Sequence, residues 1–165
     1  MSKKGRQYIG LLAAVLAYYA VHEGAHLVYA LLIGTFRSIR FMGLGIQIDI
    51  FDQQMTDVQL GVFCLVGSVA TLAAACVLVL LADRICAVSG NVFKACMYYI
   101  TAAMLLIDPL YLSVLCGFFG GGDMNGISLL IPGVAARSAY GLLLAVNVAV
   151  FAKIVLPKYR RAFGE

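Results

Sequence analysis

Long apolar runs dominate this chain, and four of them can cross a hydrocarbon core of roughly 30 Å, which takes about 20 helical residues. They cover Tyr8 to Ile33, Val58 to Ala82, Val92 to Phe118 and a last stretch over 134–156. Each predicts a spanning helix. Pro109 falls inside the third run, and Pro132 and Gly133 precede the fourth. A broken or re-entrant piece is therefore expected before the fourth helix, where irregular backbone survives only if it is buried in protein or lines a wet cavity. The pattern changes over Thr35 to Gln53. There Arg37, Ile39 and Phe41, then Ile46, Ile48 and Ile50, alternate with other residues around Gly43 and Gly45. This period of two predicts a short β-hairpin between the first and second spans, with an edge that an extended peptide can join by strand addition. The expected fold class is all-α integral membrane, with four transmembrane helices and one hairpin, forming a single membrane-embedded domain over 1–165.

Composition agrees with that pattern. Of 165 residues, 63% are apolar and 12% charged, and the mean hydropathy is +0.97. So little charge cannot cover a water-soluble core, whereas lipid accepts apolar side chains on the outside. The net charge of +4 gathers near the chain ends and needs no nucleic-acid partner to explain it. Lys3, Lys4 and Arg6, the loop from Arg84 to Lys94, and Lys158, Arg160 and Arg161 fall on one side of the four spans. The positive-inside rule then predicts both termini in the cytoplasm, and the expected location is the plasma membrane of a prokaryote. The basic opening is similar to a signal peptide, but the apolar run behind it is too long for one, so it is expected to stay as a span. The five cysteines (Cys64, Cys76, Cys86, Cys96 and Cys116) are scattered without any CxxC pair and read as small buried apolar residues.

The chemistry is concentrated in the first run. The chain has two histidines, His22 and His26, and Glu23 follows the first, giving His22-Glu23-Gly24-Ala25-His26. On a helix, positions i and i+4 share a face, so two imidazoles can meet one tetrahedral Zn²⁺, and Glu23 can reach a water on the metal as general base without being a ligand. With two histidines and two glutamates in 165 residues, chance gives this pattern about three times in ten thousand. Ionisable groups placed mid-span are functional candidates by default, and a bound metal would compensate them.

A catalytic zinc needs a third protein ligand. Asp49, Asp52 and Asp57 belong to the hairpin and its exit, and Asp83 sits beside Arg84 at a span end. Asp123 lies in Gly120-Gly121-Gly122-Asp123-Met124-Asn125-Gly126, a glycine-rich break that lets the backbone bring a carboxylate toward the first helix. It is the preferred ligand, its alternative role being a helix cap. Asp108, in Leu106-Ile107-Asp108-Pro109-Leu110, either orients an imidazole from behind, is itself the ligand, or caps a kink at Pro109. The glycines around Gly121 serve either a gate or a plain turn.

In these residues the chain resembles the site-2 protease family of intramembrane zinc metalloproteases. The HExxH motif matches fully, and Phe36 to Ile50 is similar in place and patterning to that family's membrane-associated strand segment. Gly67-Ser68-Val69-Ala70-Thr71 partly matches its Gly-Pro-x-x-Asn pattern. Asp123, followed by Met124 and Asn125 before Gly126, is an altered form of its Asp-Gly motif, and Asp108-Pro109 echoes its Asn-Pro. The resemblance implies a core-only zinc endopeptidase that cleaves a transmembrane or membrane-associated peptide. Thr71, Asn125 and the hairpin would enclose its wet pocket, and its catalytic end would face the cytoplasm, opposite to the side indicated by the charges. A non-hydrolytic metal-binding membrane protein, such as a transporter or sensor, and an inactive relative that only binds membrane peptides are the alternative readings.

Overall fold

The computed structural model describes residues 2–42 and 45–164. The chain forms α1 (Lys3–Leu32), a hairpin of β1 (Phe36–Met42) and β2 (Gly45–Ile50), α2 (Asp57–Leu80), a short α3 (Ala82–Ala87) and α4 (Asn91–Ser113). A short α5 (Asp123–Ile127) follows, then α6 (Gly133–Val150) and α7 (Leu156–Phe163). The last two are joined by the π-helical turn Phe151–Val155 into one continuous rod. Among the described residues, four helical segments are thus long and apolar enough to cross a membrane: Lys3–Leu32, Asp57–Leu80, Asn91–Ser113 and Gly133–Phe163.

Local signals set several of these boundaries. Ser2 caps α1 by accepting from the Gly5 N–H at 3.2 Å. Thr56 and Gln59 form a reciprocal capping box at the start of α2. The strands pair antiparallel, from Phe36 opposite Ile50 to Met42 opposite Gly45, with a bulge between Phe36 and Ser38. Arg40 reaches across to Asp49 at 2.8 Å. Gly43, expected at the hairpin turn, lies outside the described residues.

Three expectations need correcting. The third helix ends at Ser113 rather than Phe118, because residues 115–117 tighten into a 3-10 turn. The last helical rod continues past Leu156 to Phe163. Pro157 has no N–H and its ring would crowd the carbonyl four residues earlier, that of Lys153, which lies in the wider π turn Phe151–Val155. The cysteines are all free, but only Cys64 and Cys116 are buried, while Cys76 is exposed.

Pro109 does not break α4, which continues for another turn. A proline leaves the carbonyl four residues earlier without its helical donor, here that of Leu105, and buried Asn147 of α6 donates to it at 2.7 Å. The side-chain amide of one helix thus completes the backbone of another, the repair that a proline inside an apolar helix requires.

Two apolar clusters hold the bundle together. One gathers Ala30, Ile48, Phe63, Leu112 and Ile127 near the hairpin, and the other gathers Ala75, Ala82, Met104, Val155 and Tyr159 toward the end where the chain starts and finishes. Buried polar residues include His22, Ser68, Thr71, Asp108 and Asn147. Outward positions are apolar: Leu32, Leu80 and Val134 are each about four-fifths exposed.

Candidate metal centre

α1 buries Gly10, Ala14, His22, His26 and Ala30, members of one i, i+4 row to which half-buried Tyr18 also belongs. Residues in such a row stack along a single helix face. α2 and α4 both pack on α1, so the two imidazoles point into the bundle.

α2 meets the histidines with a glycine. A Cβ added to Gly67 would lie 2.5 Å from His26 Nε2 and 2.7 Å from His22 Nε2, inside the space that these nitrogens share. Gly67→Ala is therefore expected to lower metal affinity on the order of 10- to 100-fold, comparable to other changes next to metal ligands. Metal analysis of the purified variant, with helicity checked by circular dichroism, tests this.

Asp123 arrives from the far side of the chain. Gly120, Gly121 and Gly122 have φ of +86°, +85° and +48°, a left-handed run that residues with a Cβ rarely adopt. This turn reverses the chain into α5, which packs on α2 with Gly126 pressed against the Cys64 side chain and the Leu60 carbonyl. Asp123 opens α5, and its Oδ2 stands 3.2 Å from His22 Nε2 and 3.5 Å from His26 Nε2. The two Nε2 atoms are 3.2 Å apart. Burial works against the charged form of Asp123, but its hydrogen bonds with His22 and His26 outweigh that and hold its carboxyl at about 2.

These separations match a metal site. Zinc bonds to nitrogen and oxygen of about 2.0–2.1 Å, arranged tetrahedrally, put neighbouring donor atoms roughly 3.3 Å apart. The three observed edges are 3.2, 3.2 and 3.5 Å. His22, His26 and Asp123 thus form a group that can hold a metal ion.

Asp108 stands behind this trio. Its carboxylate faces His22 Nδ1, the other ring nitrogen, at 3.3 Å and 3.4 Å through its two oxygens. It also accepts short hydrogen bonds from Tyr18 and Thr71. A carboxylate there fixes the ring and its tautomer so that Nε2 faces the space shared with His26 and Asp123, where it could bind a metal. Among the described residues His26 has no such support, and its Nδ1 lacks a hydrogen-bond partner.

The remaining candidates take distinct places. Glu23 is outside the ligand trio, and its Oε2 accepts from the backbone N–H of Ile48 on β2 at 3.3 Å. The general-base candidate therefore touches the hairpin directly. Thr71 is fully buried at Asp108. Asn125 is not brought to the trio: it is exposed and donates to the Gly120 carbonyl at 3.2 Å, closing the glycine turn. Asp49 pairs with Arg40 at 2.8 Å and Asp83 with Lys158 at 2.7 Å, so both are occupied away from the site.

No family model, curated protein or solved structure matches this chain.

The assignment of a metal-capable group thus rests on the chain's own residues. Tyr18 was not singled out by motif reasoning, although its place four residues before His22 on the same face is a readable signal. Tyr140 belongs to no motif, and Ser68 enters the sequence reading only as part of the Gly67 to Thr71 partial match. Their hydroxyls meet at 2.6 Å, linking α2 to α6 beside Gly67.

Proposed function

We propose that this chain is an integral membrane zinc endopeptidase resembling the site-2 protease family, cleaving a transmembrane or membrane-associated peptide. The observation that carries the reading is the meeting of His22 Nε2, His26 Nε2 and Asp123 Oδ2 at tetrahedral-edge distances, with Glu23 next to a ligand but outside the ligand set. Three protein ligands and a free fourth position are the form of a catalytic zinc site rather than a structural one.

His22, His26 and Asp123 would hold a zinc ion, which would supply Lewis acidity to lower the pKa of water and polarise a peptide carbonyl. The chain's own groups do the rest. Glu23 takes the proton of the attacking water and passes it to the leaving amine. Asp108, held by Tyr18 and Thr71, keeps His22 in the tautomer that leaves Nε2 free for the metal. Ile48 N–H steadies the Glu23 carboxylate on β2, where an extended peptide laid along the strand would pass the base.

Apolar outward faces, four long apolar helical segments and the Asn147 repair of α4 support residence in a bilayer. The test is reconstitution of the chain into liposomes with a membrane-embedded reporter peptide, with products read by mass spectrometry. Two complementary fragments are expected, and a zinc chelator is expected to abolish them. An intact reporter with zinc-loaded protein would favour a non-hydrolytic metal-binding role.

A further inference from the structure

A cavity of about 260 Å³ opens at the end of the bundle where α1 and α4 begin and α7 finishes. Arg6 comes from α1, Tyr98 and Tyr99 from α4, and Arg160 and Phe163 from α7. From Arg6 to His22, α1 rises about 24 Å at 1.5 Å per residue, so this cavity is separate from the metal centre. We infer that it is a binding site for a phosphate ester, occupied by the headgroup of an anionic phospholipid.

Its charge is the first argument. Among the described residues no carboxylate lines the cavity, and neither Arg6 nor Arg160 has an ion pair, where Arg37, Arg40 and Lys158 do. The Arg6 guanidinium lies 6.0 Å from the centre of the Phe163 ring, and Lys94 Nζ lies 5.7 Å from the same ring. Lys94 also donates to the Ala162 carbonyl at 2.7 Å, tying α7 to α4. Two cations are thus drawn to one ring with no carboxylate between them among the described residues, and an anion in the adjoining cavity would relieve their repulsion.

The second argument is chemical fit. Guanidinium groups present forked donors that suit phosphate oxygens, and the tyrosines add hydroxyl donors. Ala95 and Leu156 give the cavity an apolar wall, suited to the less polar part of an amphiphile. Its volume falls just below the range of sites for drug-sized ligands, which fits one headgroup. In a chain whose helices cross the bilayer, this end lies at headgroup level, where basic pockets between helices take anionic lipid heads. The inference rests on the membrane reading but not on the catalytic one.

Native mass spectrometry of the full chain, released from mixed micelles of phosphatidylglycerol and phosphatidylcholine, tests it without any cleavage assay. One phosphatidylglycerol per chain is expected to be retained. Joint replacement Arg6→Gln with Arg160→Gln should weaken retention about thirtyfold, the effect of removing two cations from an anionic surface site. Lys4→Gln with Arg161→Gln removes the same charge from outside the cavity and should change little. Circular dichroism confirms folding, and Arg6→Lys with Arg160→Lys, which keeps the charge, should restore most of the retention if the glutamine pair folds poorly. Inorganic phosphate alone is expected not to displace the lipid; displacement would keep the phosphate chemistry but make a free anion the occupant. Equal retention of phosphatidylcholine, or equal losses in both glutamine pairs, would overturn the proposal.

Discussion

Glu23→Gln is expected to keep its zinc and to lose cleavage of a membrane-embedded reporter by a factor on the order of 10²–10⁴, the usual contribution of a positioned general base. The separation of effects follows from geometry. His22, His26 and Asp123 make the metal-capable group, and Glu23 is not part of it. Glutamine keeps the shape and can still accept from the Ile48 N–H through its amide oxygen, so the hairpin contact survives. What is lost is the capacity to take a proton from water and return it to the leaving amine. Loss of metal in this variant would place Glu23 among the ligands. Undiminished cleavage would remove it as the base.

Asp123→Ala and Asp108→Ala should separate sharply in metal content. Asp123 offers its Oδ2 to the same space as both Nε2 atoms, so alanine there leaves two ligands and zinc is expected to be lost on purification. Asp108 addresses His22 from the opposite ring nitrogen, and its loss should weaken affinity by about 10- to 100-fold without emptying the site at saturating zinc. Asp108→Ala also leaves the half-buried Tyr18 hydroxyl without its carboxylate acceptor, costing roughly 1–3 kcal/mol of stability, whereas the Thr71 hydroxyl still has the Ser68 carbonyl as acceptor at 2.9 Å. Asp108→Asn, which keeps an acceptor oxygen, should be milder on both counts. If only the Asp108 variants lose zinc, the ligand roles are reversed. If all variants keep it, a different donor completes the site; among the sulfurs, Cys116 is turned away, donating to the Leu112 carbonyl at 3.2 Å.

Much of this arrangement is legible in the sequence because the physics behind it is local. A long apolar run in a chain so poor in charge predicts a long helix, and α1 carries its histidines on one face simply by their spacing. Period-two patterning likewise announces β1 and β2. Other features depend on contacts that no local rule reaches. Val114 to Phe118 is apolar like the helix before it, so hydropathy alone runs the third helix on, while the backbone turns at 115–117. Cys76 is apolar enough for either side of a membrane helix, and hydrophobicity cannot tell lipid-facing from core-facing positions. The sequence favours Asp123 over Asp108 as ligand but leaves either able to serve, since both are lone carboxylates near glycine or proline. Their roles diverge because α4 delivers one to Nδ1 and the glycine turn delivers the other to Nε2. Gly67 is legible as part of a partial motif, but its reason, the lack of room for a Cβ beside two imidazoles, emerges only once α2 is packed on α1.

The most direct test of a hydrolytic zinc centre is to strip the metal from the wild-type chain in liposomes, return zinc stepwise, and measure bound metal and reporter cleavage in the same samples. Cleavage is predicted to rise in proportion to occupancy and to level off at one zinc per chain. Full zinc occupancy without cleavage, or cleavage that persists in the stripped protein, would contradict the account.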